Sequence, residues 1–210
     1  AFEVMSIPVY CIAGFLRRES RGAESALKYF ILGAFSSAVM LYGIALLYGA
    51  TGTTNFEIVG QQLTQLMANG PAATEAGTLI VIGLLLVLSG FAFKIASVPF
   101  HLWTPDVYTG SPTPAVGFMA TAVKASAFAP LIRVFTVAFN EPVLRGGFFG
   151  YGWVDVFVFI AAASMILGNL VAITQDNVKR MLAYSTIAHA GYLLVGFVAA
   201  GARPEFFIWN

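Results

Sequence analysis

Two lysines stand inside long apolar runs of this 210-residue chain. Lys94 follows the run 84–93, and Lys124 lies within 117–128. A lysine at mid-membrane costs roughly 2.5–3.5 kcal/mol on insertion scales, so two of them require a reason. Low dielectric disfavours a charged amine, whereas a nearby carboxylate favours it. Amines between these influences can bind and release protons near neutral pH. The alternative is that each long stem carries its ammonium to the membrane interface.

A proline follows each lysine within a short distance, and proline disturbs a helix. Pro99 and Pro130 lack an N–H, so the carbonyls of Ile95 and Ser126 lose their usual helical donors. We therefore predict a broken helix near Lys94 and a second defect beyond Lys124. A carbonyl freed beside a buried amine is a place for ordered water.

Four further ionisable residues are candidates for proton transfer: Glu3, and the weaker Glu24, Lys28 and His189. Glu3 lies in an apolar stretch and is the carboxylate predicted to pair with one of the lysines, unless it is an interfacial residue at a helix end. Glu24 and Lys28 form an i,i+4 pair that is more simply a surface pair. His189, inside the last apolar run, is either a proton relay or an interhelical hydrogen-bond partner.

The composition excludes most other classes of protein. The chain is 59% hydrophobic and 10% charged, with mean hydropathy +0.82, whereas soluble domains are about 25% charged. A net charge of +1 gives no case for nucleic acid. The single cysteine, Cys11, excludes a disulfide framework and is expected to be a small buried side chain. No phosphate-binding, dinucleotide or metal-ligand motif is present, so we expect no cofactor and no metal in this chain.

The elements that must position these residues are membrane helices. Crossing the hydrocarbon core takes about 20 mostly apolar residues, and alternating ten-residue segments typical of a barrel are absent. We predict one all-α polytopic transmembrane domain, a helix bundle fragment of a longer protein. Its predicted spans are 1–15, 26–48, 77–98 continuing in broken form to about 110, 115–139, 154–173 and 181–200.

The basic residues of the connecting segments predict the orientation of the bundle. The segments on one side carry Arg17, Arg18, Arg21, Lys28, Lys179 and Arg180, and those on the other carry Arg133, Arg145 and Arg203. The excess of Lys and Arg places 16–25, 99–114 and 174–180 in the cytoplasm. Trp103 and Tyr108, in the second of these segments, fit an aromatic belt at that interface.

Three stretches together resemble a known family. They are 93–108 with the Ser-Pro-Thr-Pro of 111–114, then 166–192, and 26–34. The chain is similar to the antiporter-like membrane subunits of respiratory complex I, the NADH-quinone oxidoreductase, over nearly its whole length. The resemblance implies two inverted five-helix repeats, each with a broken helix, of which this chain would hold the fifth to tenth helices.

The resemblance assigns the functional roles known in this family to particular residues of this chain. The resemblance implies that Lys94 is the lysine at the broken helix, Lys124 the lysine of the next helix, and Glu3 the carboxylate paired with Lys94. Glu24 and Lys28 match recurring charges, and a further lysine on the exit route lies beyond this chain. The implied function is proton translocation coupled to NADH:quinone electron transfer, as one subunit of a translocase and without a redox centre in this chain.

The resemblance also implies a setting for the protein. NADH, FMN, Fe-S clusters and quinone are expected in partner subunits, and the partners are antiporter-like and small hydrophobic membrane subunits. The expected location is the bacterial inner membrane, with mitochondrial and thylakoid relatives as alternatives. Rival functions are a subunit of a multi-subunit cation/proton antiporter, a subunit of a membrane hydrogenase, and a non-pumping structural scaffold.

Overall fold

The protein is a bundle of helices. The computed structural model describes residues 2–16, 20–67, 75–147, 149–150 and 152–202; of residues 2, 3, 67, 75 and 202 it describes the backbone alone. Every regular element in these ranges is helical. The predicted all-α transmembrane bundle, with a broken helix near Lys94, is confirmed.

The helices of the described ranges are numbered here in chain order. They are α1 (Phe2–Ala13), α2 (Ser20–Thr51), α3 (Phe56–Met67), α4 (Glu75–Lys94), α5 (Trp103–Gly110), α6 (Thr113–Ala138), α7 (Pro142–Arg145), α8 (Trp153–Ile173) and α9 (Val178–Ala202). Helix α6 contains two π-helical turns, Met119–Val123 and Val134–Ala138. Five of these helices, α2, α4, α6, α8 and α9, are long and apolar enough to cross a membrane, and α1 is a shorter apolar helix.

The observed helix bounds differ from the predicted spans in three places. Helix α2 runs past both ends of 26–48, and at its start a polar first turn continues the helix outside the apolar run. Helix α4 ends at Lys94, before the predicted residue 98. Helix α3 was not predicted at all. It is short and amphipathic, with Val59 and Leu63 buried, so it lacks the long apolar run by which a span is recognised.

Small residues let the long helices approach closely. A side chain on Gly43 of α2 would meet the carbonyl oxygen of Gly83 of α4 at 2.8 Å. Likewise, a side chain on Gly168 of α8 would meet the backbone nitrogen of Ala188 of α9 at 2.8 Å. Such contacts are typical of membrane helix pairs, where packing rather than a hydrophobic driving force holds helices together.

Two clusters of buried side chains form the interior. The first, the aromatic core, gathers rings from α4, α6, α8 and α9, and includes Phe91, Phe135, Trp153, Phe157 and Phe197. The second, called here the lysine-side cluster, consists of Val9, Tyr10, Ala13, Tyr29, Phe93, Ala96, Trp103, Val107, Tyr108, Met119, Val123 and Ala183. Both lysines of interest adjoin this second cluster in sequence.

The outer face of the described bundle carries large apolar side chains, as is typical of membrane proteins. Phe35, Leu170 and Ile173 are 70%, 62% and 83% exposed. Cys11 also lies on this face, so its predicted burial was wrong. Cysteine behaves as a small apolar side chain, and in a membrane protein such a residue is equally suited to an outward position.

Candidate functional site

Helix α4 ends immediately after Lys94 in a Schellman motif. The N–H of Ser97 donates to the carbonyl of Ala92 at 3.0 Å, and the N–H of Ala96 donates to the carbonyl of Phe93 at 3.0 Å. Ala96 occupies the left-handed position of the motif, with φ of 58°, a place usually taken by glycine. The break therefore begins at Lys94 itself, upstream of the proline that predicted it.

The irregular backbone after Lys94 is stabilised by other parts of the bundle. The indole N–H of Trp103 donates to the carbonyl of Phe93 at 3.2 Å, and the N–H of Val98 donates to Ser164 Oγ of α8 at 2.9 Å. Ser164 is fully buried. Non-helical backbone at membrane depth is tolerated only where protein or water satisfies it, and these two side chains do so.

Replacing Ser164 by alanine is expected to destabilise this break. The Val98 N–H would lose its acceptor, and an unsatisfied buried donor costs about 1–3 kcal/mol. We expect a lower melting temperature of the assembled protein, measured by differential scanning fluorimetry in detergent. Ser89→Ala is the matched control, since Ser89 Oγ bonds only within its own helix, to Leu86 O at 2.7 Å. Equal effects of the two variants would contradict this role of Ser164.

Lys94 is buried and points toward α1. Its side chain is 7% exposed, and Nζ donates to Ser6 Oγ at 2.7 Å. Glu3 lies one helical turn before Ser6 in α1, and residues three apart share a helix face. The side chain of Glu3 lies outside the described residues, so its pairing with Lys94 stays a prediction. The structure does bring Lys94 to α1, the helix that contains Glu3.

Lys124 is equally buried and sits at an irregular point of its own helix. It directly follows the π-helical turn Met119–Val123, a type of irregularity that occurs frequently at functional sites. Nζ donates to the carbonyl of Thr186 in α9 at 2.9 Å, and the side chain is 7% exposed. Among the described residues, no carboxylate forms an ion pair with Lys124. Both lysines are buried in the described bundle.

A row of buried polar atoms runs along α5 and the residues that flank it. His101 Nδ1, Thr104 Oγ1, Tyr108 Oη and Ser111 Oγ are buried and have no hydrogen-bond partner in the described parts of the chain. Thr104, Tyr108 and Ser111 follow i, i+4, i+7 spacing and so share one helix face. Buried polar groups are normally satisfied by protein or by ordered water. This face is therefore suited to bind water.

A junction of four charged side chains, called here the ionic junction, lies where α2, α5 and α9 meet. Asp106 accepts from Lys28 Nζ at 3.0 Å and from Arg180 at 2.9 Å. Glu24 is 2.5 Å from Lys28 Nζ. The predicted Glu24–Lys28 pair is thus present, but as part of a larger network. A cavity of about 300 Å³ adjoins the junction.

His189 is not among the buried groups. It is exposed on the described chain, and its Nδ1 lies 2.8 Å from the carbonyl of Ser185, one turn earlier in α9. Its ring packs against Tyr192 at 5.5 Å between centroids. This contact with the backbone of α9 involves one of the two ring nitrogens. The roles of His189 as a proton relay or as an interhelical hydrogen-bond partner both stay predictions.

Sequence reasoning missed several residues that the structure places at the site. Ser6, Ser164 and Thr186 contact the lysines or the break, and Asp106 centres the ionic junction. A signal was present for the first three, because each is a polar residue inside an apolar run, where side-chain hydrogen bonds between helices are common. Nothing in the local sequence identifies the partners of Asp106.

Comparison with known proteins identifies the family of this chain. The chain belongs to the family described as NADH:quinone oxidoreductase/Mrp antiporter transmembrane proteins, which it matches over residues 1–205. Within that family it is similar to NADH-quinone oxidoreductase subunit N of Myxococcus xanthus, with 51% identity over 199 residues. It is also 51% identical over 203 residues to subunit N 1 of Sorangium cellulosum. The resemblance expected from the sequence is confirmed.

The chain spans only part of the length of these relatives. Its alignments cover 94% and 97% of this chain but only 36% and 39% of those two proteins. Among solved structures, a chain of respiratory complex I from Thermus thermophilus matches with TM-score 0.73 and 42% identity, covering 95% of this chain and 39% of that one. A chain of the Mrp complex from Dietzia matches with TM-score 0.74 and 26% identity, covering 94% and 34%.

Proposed function

We propose that the protein containing this chain is a proton-translocating membrane subunit of an NADH:quinone oxidoreductase. Its buried lysines and a glutamate, together with bound water, move protons across the membrane while electrons pass from NADH to quinone in other subunits. The observation that carries this proposal is the burial of Lys94 and Lys124 beside one interior cluster, each at an irregular point of its helix.

The proposed cycle begins at Lys94. Glu3 and Lys94 form a pair whose strength depends on charges elsewhere in the complex. When that pair weakens, the Lys94 ammonium gives its proton to water, which carries it toward Lys124. A tenfold change in proton affinity is about 1.4 kcal/mol, and moving one charge through 100 mV costs about 2.3 kcal/mol. Modulating one carboxylate–amine pair can therefore supply a step of the required size.

Water is the natural carrier between these groups and the bulk. The buried polar row of α5 offers acceptors and donors at His101, Thr104, Tyr108 and Ser111. It extends from the break toward the end of α5, where the ionic junction and its cavity lie. Ordered water on this face would link Lys94 and Lys124 to the side of the membrane predicted to be cytoplasmic.

The chemistry of electron transfer belongs to other subunits in this proposal. NADH, FMN, Fe-S clusters and quinone are carried by those partners, and this chain contributes proton binding and release alone. The partners that contact it in the membrane are antiporter-like and small hydrophobic subunits. The relatives named above are bacterial proteins, which supports a place in a bacterial inner membrane.

A cation/proton antiporter is the second candidate function. The similarity to the Mrp complex, at TM-score 0.74, supports it. The identity with that chain is 26%, against 42% with the complex I chain, and this difference favours the oxidoreductase.

Purification of the intact assembly through this subunit tests the proposal. After reconstitution in liposomes, we expect NADH with a soluble quinone to acidify the lumen of vesicles that expose the NADH site outward. Acidification should be abolished by an uncoupler and should not depend on sodium. An assembly that exchanges sodium for protons and does not oxidise NADH would contradict the proposal and support the antiporter.

A further inference from the structure

One carboxylate joins three helices at the end of the bundle that holds the break. Asp106 of α5 uses one oxygen for Lys28 of α2, at 3.0 Å, and the other for Arg180 of α9, at 2.9 Å. Helix α5 has only eight residues and is separated from α4 by irregular backbone. A helix this short has little intrinsic stability, so its position depends on contacts of this kind.

Neighbouring contacts hold the same end of α5. Ser25 Oγ donates to the carbonyl of Asp106 at 3.2 Å, and Lys179 Nζ donates to the carbonyl of Ser111 at 3.1 Å. Gly110 packs so closely on α2 that an added side chain would lie 2.5 Å from the carbonyl oxygen of Arg21. The end of α5 is thus fixed against α2 on one side and α9 on the other.

The ion pairs at Asp106 fix the relative positions of the helices more than they raise the free energy of unfolding. The side chains of Asp106, Lys28 and Arg180 are 37–41% exposed, and ion pairs with this much exposure contribute little to stability. Charge pairs of this kind do set the register of one element against another. The effect of these ion pairs should therefore appear at the groups that α5 holds in place.

Helix α5 helps to position the groups that surround Lys124. Tyr108 is buried, and its hydroxyl lies against the side chain of Thr186 without the geometry of a hydrogen bond. The carbonyl of Thr186 in turn accepts from Lys124 Nζ at 2.9 Å. Thr186 belongs to α9, as Arg180 does, so the Asp106–Arg180 pair and the Tyr108–Thr186 contact set the same two helices against each other.

We propose that Asp106 is a positioning residue for proton transfer at Lys124: by bridging Lys28 and Arg180 it holds α5 against α9, so that the polar face of α5 stands beside the Thr186 carbonyl that binds the Lys124 amine. This inference rests on the proposed function. It assigns to Asp106 no contact with the transferred proton.

The test uses the intact complex with Asp106→Asn, Asp106→Glu and Asp176→Asn. Asp176 is an exposed carboxylate in the turn before α9 and is the matched control. For Asp106→Asn we expect proton pumping to fall about fivefold, the ratio that corresponds to about 1 kcal/mol. Asp106→Glu should recover most of the loss, and Asp176→Asn should match the parent protein. Hydrogen–deuterium exchange of the α5 amides should rise in Asp106→Asn alone.

A double variant separates a positioning role from general destabilisation. If Asp106 acts through Lys124, adding Asp106→Asn to Lys124→Ala should lower pumping no further. Additive losses, or unchanged pumping and exchange in Asp106→Asn, would overturn the inference. Should Asp106→Asn fail to assemble, Arg180→Gln against Arg180→Lys tests the same ion pair, and equal pumping by these two would also overturn it. Full pumping by Lys124→Ala would instead refute the proposed function, so the two failures are distinguishable.

Discussion

Lys94→Met is expected to abolish proton pumping by the assembled complex and to lower quinone-coupled NADH oxidation by at least about tenfold, since a positioned proton-transfer group typically contributes 10²–10⁴-fold to its step. Methionine fills a similar volume without an amine, and it suits the apolar surroundings at the end of α4. NADH oxidation with an artificial acceptor that bypasses quinone should persist. Luminal acidification of vesicles and the two oxidation rates, measured on one preparation, check the result.

Lys94→Arg separates proton exchange from charge. Arginine keeps the positive charge and can bond Ser6, but its guanidinium does not release its proton in proteins. We therefore expect pumping to remain lost in this variant. Recovery of pumping with arginine would show that a fixed charge suffices at this position. Full pumping by Lys94→Met would remove Lys94 from the mechanism altogether.

The energetic cost of a buried charge was the most informative feature of the sequence. It singled out Lys94 and Lys124 by their positions in long apolar runs, and the structure places both in the interior. The broken helix was also predictable, because Pro99 cannot continue a helical hydrogen-bond ladder. The detail was not. Helix α4 ends at Lys94 through the Schellman motif at Ala96, and a non-glycine residue in that position gives no local signal.

Contacts between distant segments could not be predicted from local patterns. Asp106 and Arg180 are 74 residues apart in sequence, and Asp106 and Lys28 are 78 apart. Periodicity reports only which residues share a face of one helix, not which helices meet. The Glu24–Lys28 pair was predictable because both partners lie on one helix face. Its extension to Asp106 required knowledge of how α5 folds back between α2 and α9.

Both lysines lie where the regular helix is interrupted, and a single physical reason accounts for this. In a continuous helix the backbone groups bond one another and offer little to a buried amine. At the end of α4 the chain turns away, and just before Lys124 a π-helical turn shifts the bonding pattern. Such interruptions bring polar backbone and space for water near an amine that lipid could not solvate.

Lys124→Met is expected to change stability and function in opposite directions. The Lys124 amine is buried and has no carboxylate partner among the described residues. Replacing a buried charge by an apolar side chain of similar volume is often stabilising, here by about 1–2 kcal/mol after loss of the bond to Thr186. Pumping should nevertheless fall at least about tenfold, because the proton from Lys94 loses its acceptor.

Arg133→Met is the matched control for this last variant. Arg133 is a basic residue of the same helix as Lys124, but it is exposed. Its replacement should leave the unfolding temperature nearly unchanged and retain most pumping. A Lys124→Met complex that unfolds at a lower temperature, or that pumps as well as Arg133→Met, would show that the Lys124 amine is instead a structural hydrogen-bond donor to α9.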